Sequence, residues 1–266
     1  MLPKLIHLGS FYLPTYGVLV AAAFLTALWI AGKLGRMQGL SKDAIMNLGI
    51  YCALAGIVGA KLFMILMDPY YRKNPGQIFT LSTLQSAGIW YGGFIVALVF
   101  SFFYMRSQGL PFLKTSDVFA PGLAIGHAIG RLGCFAAGCC YGKPTSLPWA
   151  VTFTSPDANG APLGVPLHPT QLYEAIIESV ICVVLYQMAK RAHKDGAIIS
   201  LYLILSAIAR FLVEFVRSHD EANPLGGPFT LEQWISVVVC LAGIWLLMRR
   251  EPAGRTMPVS GPRSAA

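Results

Sequence analysis

The chain of 266 residues is 55% hydrophobic and only 12% charged. Soluble domains carry about 25% charged residues, and the mean hydropathy of +0.60 also lies on the apolar side. Six cysteines are too few for a disulfide scaffold in a chain of this length. The composition argues against a soluble enzyme, a nucleic-acid-binding module and a disordered chain. The net charge of +8 then fits a membrane protein with basic cytoplasmic loops.

Long apolar segments follow one another along the chain. About 20 predominantly apolar residues are needed to cross the hydrocarbon core as a helix. The first such segment has a possible signal cleavage site at Ala21-Ala22-Ala23, but its apolar run continues to Ala31, which is too long for a signal core. We therefore predict an all-α polytopic membrane protein with seven transmembrane helices, at roughly 12–32, 44–67, 88–105, 117–138, 170–189, 197–216 and 229–248.

Basic residues are distributed unevenly between alternate loops. One set of loops holds twelve of them: Lys33, Arg36, Lys42, Arg106, Lys114, Lys190, Arg191, Lys194, Arg249, Arg250, Arg255 and Arg263. The opposite set holds five: Lys4, Arg72, Lys73, Lys143 and Arg217. The positive-inside rule then predicts an amino terminus outside and a carboxy terminus in the cytoplasm.

The domain organisation follows from this topology. We expect residues 1–250 to form one transmembrane domain. Five prolines punctuate its longest connection, 139–167, which we expect to be a small outer (periplasmic) subdomain or lid with a short strand at 149–153. The tail 251–266 has the composition of a disordered cytoplasmic segment.

The other three basic residues, Lys61, Arg131 and Arg210, lie inside predicted helices. Charged side chains within a bilayer are costly, so each marks a candidate functional site. Arg131 follows His127 by four residues, which places both on one face of the fourth helix. The glycines of the same segment, at 126, 130 and 133, permit close approach of a helix or a ligand. The alternative is that Arg131 snorkels or pairs with a buried acid.

The sixth helix contains Arg210, Glu214 and Arg217 at spacings of four and three, which predicts one charged stripe. One carboxylate does not neutralise two guanidiniums, and a guanidinium suits bidentate binding of phosphate. A purely structural Arg210–Glu214 pair is the alternative. The presence of Arg131 on another helix favours an anion site.

Two further motifs lie at the starts of predicted helices. The segment 168–174 begins with His168, which can act as an acid or base near neutral pH. Part of this motif is explained if Thr170 caps the fifth helix. In the second motif, Gly92 and Gly93 follow Tyr91 at the start of the third helix, where a glycine pair either frees backbone amides for an anion or produces a kink.

Three cysteines, Cys134, Cys139 and Cys140, lie close together in the sequence. Their spacings of five and one do not match the paired spacing of structural zinc sites, so we predict no metal. A nucleophilic or redox pair is disfavoured to a similar degree. The other three cysteines, Cys52, Cys182 and Cys240, lie in apolar segments and are interpreted as packing residues.

Taken together, these motifs resemble the prolipoprotein diacylglyceryl transferases of the bacterial inner membrane. The segment Gly130–Phe135 resembles the family's Gly-Arg-hydrophobic-Gly-Asn-Phe signature, and Tyr91-Gly92-Gly93 resembles its His-Gly-Gly motif. Matching positions also occur at 16–17, 168–174 and 210–217. The resemblance runs in order from about Tyr16 to Trp245.

The resemblance implies a reaction and its partners. A diacylglyceryl group moves from phosphatidylglycerol to the thiol of the lipobox cysteine of a preprolipoprotein, a thioether forms, and glycerol 1-phosphate leaves. The partners are then phosphatidylglycerol, the lipobox peptide and membrane lipid, without nucleic acid. We expect no cofactor.

The resemblance also implies roles for individual residues. Arg131 and Arg210 bind the lipid phosphate and stabilise the leaving group, Glu214 orients an arginine, and Arg217 lies nearer the outer surface. Catalytic candidates also include His168 and Tyr91. The expected substrate contacts are Tyr16, Gly92, Gly93, Gly130, Gly133, Cys134, Tyr173, Glu174, Glu214 and Arg217.

Two positions depart from the family pattern. Tyr91 replaces the histidine before the glycine pair, and a phenol with a pKa near 10 is a poor base. Activation of the thiol then falls to His168 or His127, or Tyr91 only orients the substrate. Cys134 replaces an asparagine, which removes an amide hydrogen-bonding group.

Two other classes of function use the same features. A transporter or channel for an anionic solute would use the arginines without chemistry, but the sequence shows no internal repeat of the kind many transporters have. A purely structural protein leaves the intramembrane arginines unexplained.

Overall fold

The computed structural model describes residues 4–8, 11–80, 83, 88–219 and 227–249. Its long helices, in chain order, are α1 (Thr15–Met37), α2 (Lys42–Met67), α3 (Trp90–Ser107), α4 (Phe112–Ala137), α5 (Thr170–Ala189), α6 (Ala197–Glu214) and α7 (Leu231–Met248). A one-turn helix, Pro69–Lys73, and a 3-10 turn, Pro75–Phe79, follow α2. The predicted tail 251–266 lies outside the described residues.

Two short antiparallel strand pairs accompany the helices. The first joins β1 (Lys4–Leu8) to β2 (Phe11–Pro14), directly before α1. The second joins β3 (Val151–Thr152) to β4 (Pro166–Leu167). The sequence predicted a strand near β3 but not the pair before α1.

Six of these helices, α1, α2 and α4 to α7, are long and apolar enough to cross a membrane. Helix α3 covers the third predicted span but is not among the six. Large apolar side chains such as Leu25, Leu54 and Val238 are exposed on the surface of the bundle, as lipid-facing residues are. The chain therefore has the helices of a multi-pass membrane protein, while the number seven stays a prediction.

The packing order places α4 and α5 in the middle of the bundle. Helix α1 packs along α4, α4 along α5, and α6 contacts both α4 and α5. Helices α1 and α4 approach closely at Gly122, where an added Cβ would lie 2.8 Å from the carbonyl oxygen of Ala27. The apolar core on this side includes Leu34, Val118 and Leu185. This arrangement brings the polar ends of α4, α5 and α6 together.

The connection 139–167 has a small apolar core of its own, formed by Phe153, Ala161 and Leu167. It is tied to the end of α6 by an antiparallel bridge between Gly142 and Arg217. The Lys143 amide also donates to the carbonyl of Val216 at 2.8 Å. The connection thus fixes the backbone that follows α6.

Asp117 joins α4 to the start of α6. Its carboxylate is fully buried and accepts hydrogen bonds from the amides of Gly196 at 2.6 Å and Ile199 at 2.8 Å. These amides belong to the first turn of a helix, where no intrahelical carbonyl is available to them. The Asp117 side chain therefore caps α6 from a neighbouring helix.

We expect Asp117→Ala to destabilise the fold by roughly 1–3 kcal/mol, because it leaves these buried amides without an acceptor. A lower thermal unfolding midpoint in detergent would measure the loss. The matched control is Asp157→Ala, which removes an exposed carboxylate paired with Lys4 at 2.7 Å and should cost at most about 1 kcal/mol. Equal midpoints for the two variants would contradict the capping role.

Candidate active site around Glu174

Glu174 lies in the second turn of α5 and is 2% exposed. Its Oε1 accepts from Arg210 Nη1 at 3.1 Å and from Arg217 Nη1 at 3.0 Å. Its Oε2 pairs with Nε of Arg131. The three arginines come from α4, from α6 and from the segment after α6, so one carboxylate joins three parts of the chain.

Glu214 supports the cluster from the last turn of α6. Its Oε2 lies 3.1 Å from Arg210 Nη2, and its predicted role of orienting an arginine stays a prediction. Its Oε1 accepts from the hydroxyl of Thr230 at 3.2 Å and lies 2.6 Å from His219 Nε2. The predicted Arg210–Glu214 pair is therefore present, but Arg210 is shared between two carboxylates.

His127 and Glu178 extend the cluster toward the bundle interior. The His127 ring lies between the two glutamates, 3.5 Å from Glu174 and 3.2 Å from Glu178, and its Nε2 is 3.1 Å from Arg131 Nε. Glu178 also accepts from the hydroxyl of Ser206 at 3.1 Å. Glu178 has no role among the sequence predictions, although two acids four residues apart on an apolar helix share a face.

The arginines of the cluster keep accessible donors. Arg131, Arg210 and Arg217 pair directly with two carboxylates, those of Glu174 and Glu214, whereas the Glu178 carboxylate contacts His127. Side-chain exposure is 15% for Arg131 and 22% for Arg210. Because a guanidinium has five N–H donors, the contacts among the described residues leave several free to meet an anion.

Gly130 and Gly133 differ in their surroundings. A Cβ added at Gly130 would have no described atom within 4 Å apart from those of its chain neighbours and its own helix backbone, so the helix is open next to Arg131. At Gly133 a Cβ would lie 3.0 Å from the Tyr16 ring. This contact brings Tyr16 of α1 to the same end of the bundle as Arg131 and Cys134.

Two details of the sequence interpretation are wrong. Helix α6 ends at Glu214, so Arg217 is not part of a helical stripe; it reaches Glu174 because its backbone pairs with Gly142. Thr170 does not cap α5: it is the first helical residue after Pro169, and its hydroxyl donates to the carbonyl of Cys140 at 2.8 Å.

His168 and Tyr173 form a separate pair on the 139–167 side. His168 Nδ1 lies 3.2 Å from the Tyr173 hydroxyl, which also accepts from Trp149 Nε1 at 2.8 Å. Among the described residues, no hydrogen bond or ion pair connects either ring to the arginines. Backbone hydrogen bonds connect this pair to the arginine cluster. The Gly142 amide donates to the His168 carbonyl, and the Gly142 backbone pairs with that of Arg217.

Tyr91, Gly92 and Gly93 lie where α3 packs on α2. A Cβ at Gly92 would collide with Phe63, and one at Gly93 would lie 2.7 Å from the Gly56 carbonyl oxygen. Close helix packing therefore accounts for both glycines. Tyr91 is half exposed and packs edge-on against Trp90; within the described part of the chain, no hydrogen bond joins it to the arginines. Its predicted role stays a prediction.

Lys61, the third basic residue within a predicted helix, also lies apart from the arginines. Its ammonium donates to the carbonyl of Thr83 at 2.6 Å. Of the three basic residues within predicted helices, Arg131 and Arg210 therefore meet at Glu174, where Arg217 joins them.

The sulfurs of Cys134, Cys139 and Cys140 meet beside the arginines, with all three Sγ atoms within 4.8 Å of one another. The pKa of the Cys140 thiol is lowered by its contacts with the Cys134 and Cys139 side chains and by the nearby cations of Arg217 and Arg131. Cys140 therefore ionises more easily than a free cysteine.

Comparisons with known proteins identify the family of this chain. The family model described as prolipoprotein diacylglyceryl transferase matches residues 3–249. Three relatives are named phosphatidylglycerol--prolipoprotein diacylglyceryl transferase. The one from Clostridium tetani is 33% identical over 92% of this chain and 96% of its own length. The one from Methylobacillus flagellatus is 32% identical over 92% of this chain and 95% of its own length. The one from Geobacter sulfurreducens is 30% identical over 95% of this chain and 97% of its own length.

The comparisons decide between the classes of function that the sequence left open. The family model and the three relatives are all named as transferases, so the transporter hypothesis receives no support. The match spans nearly the whole chain, including α4, α5 and α6 with their arginines and glutamates. This chain belongs to the prolipoprotein diacylglyceryl transferase family.

Proposed function

We propose that this protein transfers the diacylglyceryl group of phosphatidylglycerol to the lipobox cysteine thiol of preprolipoproteins. The observation that carries the proposal is the convergence of Arg131, Arg210 and Arg217 on the buried Glu174 carboxylate within an apolar helix bundle. Such a group of cations suits a lipid that brings a phosphate into the bilayer. The family membership of the chain supports the same substrate.

The charge changes of the reaction explain the need for several guanidiniums. The cysteine sulfur forms a bond to the glyceryl carbon, and the bond from that carbon to the phosphate oxygen breaks. The bonding electrons leave with the phosphate, so a singly charged diester becomes a monoester that gains negative charge. Fixed cations stabilise charge that develops in the transition state, and Arg131 and Arg210 supply them at the accessible side of the cluster.

Glu174 acts as a positioning residue in this proposal. Three guanidiniums repel one another unless an anion lies between them, and the buried carboxylate satisfies one nitrogen of each. The remaining N–H donors of Arg131 and Arg210 are then directed to the lipid phosphate. Gly130, which has open space in front of it, lets the lipid approach the helix next to Arg131.

The thiol must lose a proton before it attacks, since the thiolate is the nucleophile. His168 is the first candidate base, because its ring lies at the start of α5 in a hydrogen bond with Tyr173. His127 is the second, since it contacts both Arg131 and Glu174. Tyr91, which is half exposed, is expected to contact substrate from the α3 side, while Gly92 and Gly93 allow α3 to pack closely on α2.

We also propose the arrangement in the membrane. The protein crosses the bacterial inner membrane seven times, with α3 as the third span. The amino terminus is outside and the carboxy terminus is cytoplasmic. The excess of basic residues in alternate loops supports this orientation. Residues 139–167 then form a small domain at the periplasmic face, next to the site where the lipoprotein thiol arrives.

We expect Arg131→Ala and Arg210→Ala each to lower turnover by at least about 100-fold, the cost of losing one group that stabilises developing charge. The assay uses purified protein, phosphatidylglycerol vesicles and a lipobox peptide, and it measures both lipidated peptide and released glycerol 1-phosphate. The control is Arg36→Ala, an exposed arginine at the far end of α1. Near-normal rates in both cluster variants would remove these arginines from the mechanism.

We expect His168→Ala to lower turnover by about 10²–10⁴-fold, the usual contribution of a general base. The rise of rate with pH that a neutral imidazole produces should also disappear. The matched variant Tyr173→Phe removes only the hydroxyl that contacts His168 and should keep that rise. An unchanged pH–rate profile in His168→Ala would assign the base to His127 or Tyr91.

A further inference from the structure

The three cysteines beside the arginines form a compact sulfur cluster that the proposed reaction does not use. Cys134 lies in the last turn of α4, and Cys139 and Cys140 follow the Gly138 cap. Their Sγ atoms lie within 4.8 Å of one another, and all six cysteines of the chain carry free thiols. The spacing along the chain gave no sign of this convergence.

An unusual backbone conformation brings the sulfurs together. Cys140 has a φ of 60°, the only positive φ of a non-glycine residue in the described part of the chain. Such a conformation costs about 1–3 kcal/mol and persists only where the surroundings impose it. Two buried side chains do so here: Gln171 donates to the Cys139 carbonyl at 2.6 Å, and Thr170 donates to the Cys140 carbonyl at 2.8 Å.

The separation of the sulfurs fits a metal ion. With a metal–sulfur distance of about 2.3 Å, three thiolates around one ion lie roughly 4 Å apart, so shifts of less than about 1 Å close the site. Three thiolates also need positive charge nearby. Arg131 lies close to Cys134, and Arg217 lies close to Cys140.

We propose that Cys134, Cys139 and Cys140 form a binding site for one thiophilic d10 metal ion, Zn(II) or Cu(I). Thiolate ligands select these ions over hard cations. Three cysteines with a fourth position open match the ligand number of non-structural zinc sites, and they also suit three-coordinate Cu(I). The hydrogen bonds from Gln171 and Thr170 to the carbonyls of Cys139 and Cys140 hold two of the three ligands in place before the ion binds.

The test is a metal titration of the full-length protein in detergent, reduced with a phosphine and desalted without oxygen. One arm titrates Zn(II) against a chromophoric zinc chelator, and the other titrates Cu(I) against a Cu(I)-specific chelator. We expect the protein to remove one ion per chain from the chelator in at least one arm, and the tighter arm identifies the ion. Metal that stays with the chelator in both arms would overturn the proposal.

Serine variants identify the ligands. Cys134→Ser, Cys139→Ser and Cys140→Ser should each weaken binding by at least about 100-fold, since loss even of an outer-shell partner costs 10- to 100-fold. The matched control Cys240→Ser, in α7, should bind as the parent does. Undiminished binding in all three cluster variants would overturn the assignment.

A measurement on the unmodified chain tests the site even if the serine variants fail to fold. Alkylation of each cysteine is followed by peptide mass spectrometry with and without one equivalent of the ion. We expect the metal to slow alkylation of Cys134, Cys139 and Cys140 and to leave Cys52, Cys182 and Cys240 unchanged. Equal rates with and without metal at the first three would contradict the site. Neither readout depends on transferase activity, so the metal site and the proposed function are tested independently of each other.

Discussion

The pairing of one buried carboxylate with three guanidiniums is the interaction on which this structure depends. An unpaired charge in an apolar interior costs several kcal/mol, so neither Glu174 nor its arginines are tolerated alone between membrane helices. Together they satisfy one another and still leave N–H donors of the guanidiniums free. In the proposed function, the contacts that make the arginines tolerable in the bundle also hold them in position for an anionic substrate.

The cluster also couples the elements of the fold. Arg131 belongs to α4, Glu174 to α5 and Arg210 to α6, so their contacts fix the relative positions of three helices. Arg217 extends this network to the 139–167 connection through its backbone pairing with Gly142. Gly142 also forms a hydrogen bond with the His168 backbone. The same backbone segment therefore holds both the candidate phosphate site and the candidate thiol base. Chemistry at two substrates needs such fixed geometry.

Much of this was predictable from the sequence because hydropathy specifies helices and charge within a helix marks a site. Arg131, Arg210 and Glu214 were identified in this way. The shared role of Glu174 was not, because only packing brings α4, α5 and α6 together. Arg217 looked helical from its spacing, since nothing local shows that α6 ends at Glu214. The sulfur cluster depends on the positive φ of Cys140, which sequence spacing does not reveal.

The central claim is that Glu174 holds the arginines in place for a phosphate, and the steady-state kinetics of Glu174→Gln test it most directly. Glutamine keeps the size of the side chain but removes the charge that the guanidiniums share. We expect kcat/KM for phosphatidylglycerol to fall by at least about 100-fold, consistent with the 3–5 kcal/mol that breaking a buried pair costs. Asp43→Asn, at an exposed helix start, should leave it unchanged. Wild-type kinetics in a folded Glu174→Gln protein would contradict the account.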